Sequence, residues 1–422
     1  MTTTTPGQLS GERLALLYRL SQTFNSSLDL DEVLNRVMDE VIAATRAERG
    51  FVVLRDAAGG LVFRASRGLD QTTIDGPGFQ VSRSVVERVA REGAPVLASD
   101  AQSDERFSMR HSVINLRLRA ILCVPLRIKD NVIGVVYVDN RLQAGIFSAG
   151  DLELLNAIAA SAAVAVENAR LYQVAVDKGR LERELQVARE VQAGLLPSET
   201  PQVPGWEFVA CWRPARTVAG DYYDFIATED GRLGLVIADV TDKGMPAALF
   251  MTLTRSTVRA SVRLAATPAD GIAHANRLIC ADSARGMFVT LAYILLDPVA
   301  RTLTCVNAGH NPPLHYHAAV DRLDALPRTG LPLGVDAALP FDQTVTPIQP
   351  GDFLLLYTDG VTEANDAGLQ QFGFERLQAV LRTHCRAPAA DIAAALERAL
   401  DEFTGSAPPH DDVTFVVARC LA

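Results

Sequence analysis

Leu30, Val33, Leu34, Val37, Met38, Val41 and Ile42 recur at helical spacing behind Asp29 and Asp31. That pattern predicts an amphipathic helix beginning near residue 30 and laid on a sheet. Strand-like runs follow at 50–55 and 61–65, parted by Gly59-Gly60, a pair suited to a hairpin turn. Further strands are read at 95–98, 120–128 and 132–138, with a helix over 82–92 between them. The first region is therefore mixed α/β and ends near residue 150.

From Asp151 to Leu196 the chain favours helix throughout, with no proline before Pro197 and Gly179 and Gly194 as its glycines. Positions 157, 160, 164, 167, 171, 174, 178, 181, 185, 188, 192 and 195 step by threes and fours. They read as a coiled-coil seam interrupted by Glu167, Lys178 and Gln192. A single linker helix packed on its own domains reads equally well up to Gly179, and the seam is favoured beyond it. A shorter stripe, Leu14, Leu17, Phe24 and Leu28, lies at the other end of the first domain. A stripe this narrow usually pairs with another helix, so a parallel homodimer is expected.

Beyond a Pro-rich loop after Pro197, strands are predicted at 207–213, 233–238, 288–296, 302–307, 353–357 and 413–418, and helices at 245–264, 268–283, 374–383 and 388–403. The acids fall at the strand edges. Leu233 to Ala238 ends in Asp239, and Leu354 to Thr358 ends in Asp359-Gly360. Asp221 and Asp224 precede the first of these, and Asp411-Asp412 opens the last strand. One such Asp beside a Gly is ordinarily a turn residue. Four gathered in one place would repel and raise one another's pKa unless cations neutralised them. An oxygen-only donor set suits Mg²⁺ or Mn²⁺.

The bulk composition narrows the field. A chain of 422 residues exceeds one ordinary core. A net charge of -10 without a basic run argues against nucleic acid. The apolar stretch between Glu153 and Glu167 is short of a membrane span and reads as a buried helix. The Thr-rich first ten residues lack the features of a signal peptide. Six scattered cysteines without a C-x-x-C pair suggest no zinc site and fit reduced thiols in the cytoplasm.

Gly-Asp-Tyr-Tyr-Asp-Phe (220–225), Ala-Asp-Val-Thr-Asp-Lys-Gly (238–244), Met-Phe-Val-Thr (287–290), Asn-Ala-Gly-His-Asn-Pro-Pro (307–313), Tyr-Thr-Asp-Gly-Val-Thr-Glu-Ala (357–364) and Asp-Asp-Val-Thr (411–414) stand in one order. With the lead-in from Gln192 to Pro197, they make residues 186–420 resemble the SpoIIE/RsbU-type branch of the PPM (PP2C-like) serine/threonine phosphatases. The resemblance implies an α-β-β-α sandwich of two antiparallel sheets and two Mn²⁺ or Mg²⁺ ions with a bridging water as nucleophile. It implies that Asp221 and Asp239, with the Val240 carbonyl, bind one ion, and that Asp239, Asp359 and Asp411 bind the other. Asp224 and Asp412 are left as outer-shell groups or substitutes. His310 reads as a corner residue in preference to a general acid, and Arg213 or Arg216 is a candidate for phosphate. The implied substrate is a phosphoprotein, an anti-sigma-factor antagonist in a partner-switching pathway. The alternative is a phosphatase-fold regulatory binding protein with weak or no activity. Calcineurin-type phosphatases need histidine-bearing motifs that do not occur here, and a nucleotide cyclase would leave Asp359 and Asp411 unexplained.

Residues 29–170 resemble GAF domains through Leu122-Cys123-Val124-Pro125-Leu126, Gly134 to Asn140, and Phe147 to Asn168. Of the pattern carried by cyclic-nucleotide-binding members, Phe147 and Asp151 match, whereas Leu152 replaces Glu and Arg141 follows Asn140. The ligand stays unspecified, and Cys123 reads as core. The whole is an α+β chain: an N-terminal helix (1–28), a GAF sensor (29–168), a helical coiled-coil linker (169–200) and a PPM domain (201–422).

Overall fold

The computed structural model describes Ala15 and residues 18–69, 80–98, 120–283 and 286–421. Leu14 and Leu17 of the first stripe lie outside these residues. The chain divides into two units, Met1–Arg180 and Leu181–Ala422.

In the first unit five strands, β1 (Arg49–Arg55), β2 (Leu61–Arg67), β3 (Val96–Ala98), β4 (Ala120–Ile128) and β5 (Asn131–Asn140), form an antiparallel sheet ordered β2-β1-β5-β4-β3. Helix α1 (Leu30–Thr45) starts where Asp29 accepts the Glu32 N–H at 2.9 Å and ends at Arg46 in the left-handed region. Val33, Leu34, Val37 and Met38 bury its inner face on the sheet with Phe24, which is therefore core and not free for a second chain. Helix α2 (Gln80–Glu92) covers the opposite face, where Val85, Val86 and Val89 meet Phe51, Cys123 and Tyr137. Burial pushes the Cys123 thiol well above its usual range, so it packs as an inert apolar group.

Helix α3 (Ala149–Leu195) begins at a capping pair: the Ser148 N–H and hydroxyl donate to Asp151, and the Asp151 N–H donates back to the Ser148 hydroxyl. Asn140 accepts the Leu142 and Gln143 N–H groups, and Phe147 is core. The residues that match the nucleotide-binding pattern thus build a turn and a cap. By length and composition α3 passes as a membrane span, but Leu155, Ile158, Ala162, Val166 and Ala169 are buried in the core of this unit. Val164, Leu171, Val174 and Leu181 along the expected seam are exposed.

The second unit holds two antiparallel five-stranded sheets. One is ordered β13-β10-β9-β8-β7, from β7 (Tyr222–Ala227), β8 (Leu233–Val240), β9 (Val289–Asp297), β10 (Thr302–Ala308) and β13 (Thr344–Pro347). The other is ordered β12-β11-β14-β15-β6, from β6 (Trp206–Arg213), β11 (Leu314–His317), β12 (Arg322–Ala325), β14 (Phe353–Tyr357) and β15 (Val413–Cys420). Their facing sides share a core of Leu235, Ile237, Ile294, Leu354, Leu356 and Val416. Helices α4 (Met245–Leu264) and α5 (Pro268–Asp282) cover the first sheet, while α7 (Gly373–Thr383) and α8 (Ala389–Thr404), which follow the single turn α6 (Asp359–Thr362), cover the second. The last turn of α3 also belongs here. Leu196, which follows it, packs with Tyr222 and Met251, and Gln192 is buried.

Candidate metal centre

In an antiparallel pair the end of one strand lies beside the start of its neighbour, and that brings the acids together in pairs. Strand β8 runs apolar to Ala238 and delivers Asp239 one residue before its end. Strand β14 delivers Asp359 as the first residue of α6, and Asp411 precedes β15, the neighbour of β14. Asp221 comes immediately before β7, the neighbour of β8. The Val240 carbonyl lies beside this point: a Cβ at Gly220 would come within 3.1 Å of it.

The electrostatics show that these carboxylates share one environment. Burial, then Asp239 and Asp412, raise Asp221 well above the carboxylate range. Burial, then Asp359 and Asp411, hold Asp239 at about 7. Asp359 rises to about 6 through burial, Asp411 and Glu363. The facing cation is Lys243, whose Nζ lies 2.9 Å from Asp411 Oδ2 and also donates to the His410 carbonyl. Four acids against one lysine leave negative charge uncompensated, and every donor is oxygen, so the residues fit hard divalent cations.

The remaining candidates separate by their partners. Asp412 accepts the Ala215 N–H at 2.7 Å with one oxygen and the Gly220 N–H at 2.8 Å with the other, so it holds the 215–220 loop in place. Asp224 lies within β7, and period-two alternation turns it with Tyr222 toward α4. There it meets Arg259 at 3.1 Å and Arg255 at 3.6 Å, an ion pair away from the acidic cluster. Arg213 is paired with Asp401 at 2.7 Å. Arg216 is exposed and stands near Gly244, at the start of α4. His310 is buried. Its Nδ1 is 2.8 Å from the Thr290 hydroxyl and its N–H donates to Asn307, while burial depresses its pKa to about 3. A ring so held is neutral at pH 7 and has no acidic proton to give, so it serves the corner.

Two positioning residues carry no spacing signal. The Thr358 hydroxyl donates to Asp221 Oδ2 at 2.7 Å and orients it. Gln192 donates through Nε2 to the Ala219 carbonyl at 2.7 Å and accepts the Ala219 N–H at 3.0 Å, two residues before Asp221. The polar position that interrupts the seam is thus a backbone clamp.

Gly360 offers a sharp test. A Cβ there would lie 1.9 Å from the Asp412 carbonyl, a contact that requires the backbone to move. Gly360→Ala is expected to separate Asp359 from Asp411, lower divalent-ion affinity by at least about tenfold, and cost about 1–3 kcal/mol of stability. Calorimetric Mn²⁺ titration and thermal melts measure both. Unchanged ion affinity would count against these two acids sharing a site.

Residues 229–421 match the family described as Stage II sporulation protein E (SpoIIE), and residues 27–167 match the GAF domain family. The chain is 30% identical over 262 residues to Protein IcfG of Synechocystis sp., covering 55% of this chain and 41% of that protein. It is 28% identical over 242 residues to Phosphoserine phosphatase RsbU of Bacillus subtilis, covering 57% of this chain and 70% of that protein. It thus spans under half the length of the first relative. Among solved structures, the SiaA-PP2C domain of Pseudomonas aeruginosa superimposes with a TM-score of 0.53 at 22% identity, covering 58% of this chain and 99% of that domain, a likeness of fold. Two family models, each matched on its own stretch, thus describe most of the chain: it joins a GAF domain at 27–167 to a SpoIIE-family domain at 229–421.

Proposed function

We propose that the C-terminal domain removes phosphate from a phosphoserine or phosphothreonine of a partner protein, an anti-sigma-factor antagonist in a partner-switching pathway, under control of the GAF domain. The observation that carries this reading is the convergence of Asp221, Asp239, Asp359 and Asp411 from separate strand ends, with Asp221, Asp239 and Asp359 raised above the carboxylate range by burial and by neighbouring carboxylates. Relatives named phosphoserine phosphatase, RsbU and RsbP of Bacillus subtilis, support the substrate class. Asp221, Asp239 and the Val240 carbonyl would hold one Mn²⁺ or Mg²⁺, and Asp239, Asp359 and Asp411 the second. Such ions supply Lewis acidity and charge neutralisation for phosphoester hydrolysis. The chain's own residues do the positioning: Thr358 fixes Asp221, Asp412 fixes the 215–220 loop, and Lys243 faces Asp411. A cavity of about 220 Å³ bordered by Arg213, Asn365, Asp401, His410 and Asp411 gives a phosphorylated segment room beside the acids.

Hydrolysis of para-nitrophenyl phosphate with Mn²⁺ and its loss with EDTA test the chemistry, and phosphate-affinity gels with phosphorylated antagonist proteins test the substrate. Activity that survives EDTA, or a preference for free nucleotides, would refute the reading.

The GAF domain, linker and phosphatase domain would divide at 29–168, 169–200 and 201–422, with the end of the linker helix packed on the last of these, in a cytoplasmic protein with an unidentified signal at the GAF domain. The exposed seam residues Leu171, Val174 and Leu181 support a parallel homodimer through α3. Light scattering should give a dimer for wild type and a monomer for Leu181→Asp/Leu185→Asp; a wild-type monomer would defeat this assembly.

A further inference from the structure

A second cluster of ligating side chains lies at the opposite end of β14 from the acids. His315 and His317 alternate along β11, so their rings share a face, with centroids 3.9 Å apart. Strand β14 pairs with β11 and brings Asp352, the residue before it, against His315, whose Nε2 lies 3.3 Å from Asp352 Oδ2. Strand β12 pairs on the other side and brings Asp324 to 3.2 Å from His317 Nε2. One ligand atom each from His315, His317 and Asp352 lies within 4.8 Å of the other two.

Three features distinguish this from an ordinary buried His–Asp pair. The Asp352 carboxylate is fixed, one oxygen accepting the Ala318 N–H at 2.7 Å and the other the Gln349 N–H at 2.9 Å. His315 is fully enclosed, yet its Nδ1 has no hydrogen-bond partner, which is costly for a buried polar atom. His317 keeps 23% of its side chain exposed, so the cluster has a route from solvent. Burial, and then His317, lower the His315 pKa, which favours the neutral imidazole that coordinates metal.

We propose that His315, His317 and Asp352 form a second cation site, for a divalent ion of the zinc class, with its fourth position open to solvent. Two imidazoles and a carboxylate select such ions over Mg²⁺ or Ca²⁺, whereas the oxygen-only cluster prefers the reverse. Asp324, held by Arg322 at 2.7 Å, would steer His317 from outside the ligand set. Asp352 and Thr358 are six residues apart along β14, roughly 20 Å in an extended strand, so the two sites are separate. The ion would pin β11 to the start of the strand whose far end carries Asp359. The proposal does not depend on the phosphatase reading.

The test uses the full chain, stripped by chelator, saturated with Mg²⁺ and titrated with Co²⁺ while visible absorption is recorded. Wild type and Asp239→Asn should each bind one Co²⁺ with ligand-field bands of low coordination number, and His317→Ala should lose at least about tenfold in affinity. His317→Gln, which keeps a polar side chain at this half-exposed position, decides the matter if the alanine variant is unfolded by circular dichroism. Absence of the bands in wild type, their persistence at full affinity without His317, or their loss in Asp239→Asn would each overturn the site.

Discussion

Asp239→Asn is expected to abolish phosphatase turnover, reduce Mn²⁺ binding by at least about a hundredfold, since loss of outer-shell partners alone costs 10–100-fold, and make the ion-free protein more stable. The last effect follows from burial and repulsion. In the folded protein the Asp239 carboxyl titrates at about 7 because burial, Asp359 and Asp411 oppose its charge. A carboxyl whose folded pKa lies above its unfolded value binds its proton more tightly when folded, so stability declines as pH rises from about 4 to about 7. An amide has no charge to bury. Melting curves of the ion-free proteins should therefore coincide near pH 4, diverge up to pH 7 with the variant above wild type, and hold a constant gap beyond. Saturating Mn²⁺ should reverse the order, because only wild type gains the binding energy of both ions. A variant that is less stable at pH 8 without metal would refute the repulsion, and one that turns over at the wild-type rate would refute the metal assignment.

Asp139→Ala is expected to destabilise the GAF unit by about 3–5 kcal/mol, the usual consequence of stranding one member of a buried ion pair. Arg49 and Asp139 face each other across β1 and β5, both almost wholly buried, with Nε to Oδ1 at 2.5 Å and a second nitrogen to Oδ2 at 3.0 Å. With the carboxylate gone, the buried guanidinium loses its paired counter-charge and keeps only the weaker influence of Glu48. For a unit of this size the loss corresponds to a melting shift of roughly 6 to 20 °C. The double replacement Arg49→Met/Asp139→Leu should recover most of it, since an apolar pair removes both desolvation costs. Calorimetry should show the shift in the transition of this unit, with Mn²⁺-dependent melting of the other unchanged. A shift under about 1 kcal/mol, the worth of a surface pair, would mean that water reaches Arg49.

Strands β8 and β14 were legible because each is an apolar run stopped by an aspartate, as in Leu233 to Asp239, and β15 because an aspartate pair opens its apolar run. Less conspicuous strands were not. The segment Tyr222–Ala227 reads only as an acidic element ahead of a strand, and its own strand character comes from pairing with β8. Strands β11, β12 and β13 are four residues each and carry His, Arg and Thr; β11 and β13 are defined by distant partners, β14 and β10, and β12 follows as the hairpin mate of β11. Their tertiary pairing overrides weak local propensity. Asp411 and Asp412 are adjacent, so spacing could not divide their roles; the two backbone N–H groups that occupy Asp412 do. The His315–Asp352 contact spans 37 residues and has no motif, so the absence of a C-x-x-C pair could not speak to it. Gln192 was visible as a flaw in a heptad seam and as the first residue of the lead-in to Pro197, and neither reading reveals its clamp on Ala219.

That glutamine sets a rule for exchanging sensors between proteins of this design. Gln192 and Leu196 contribute to the fold of the catalytic half, although both lie on the sensor side of Pro197. A chimera joined near residue 180 transplants a complete catalytic half, whereas a junction placed at the Pro-rich loop, where the composition changes most visibly, discards the clamp on Ala219 and leaves that backbone without its partner.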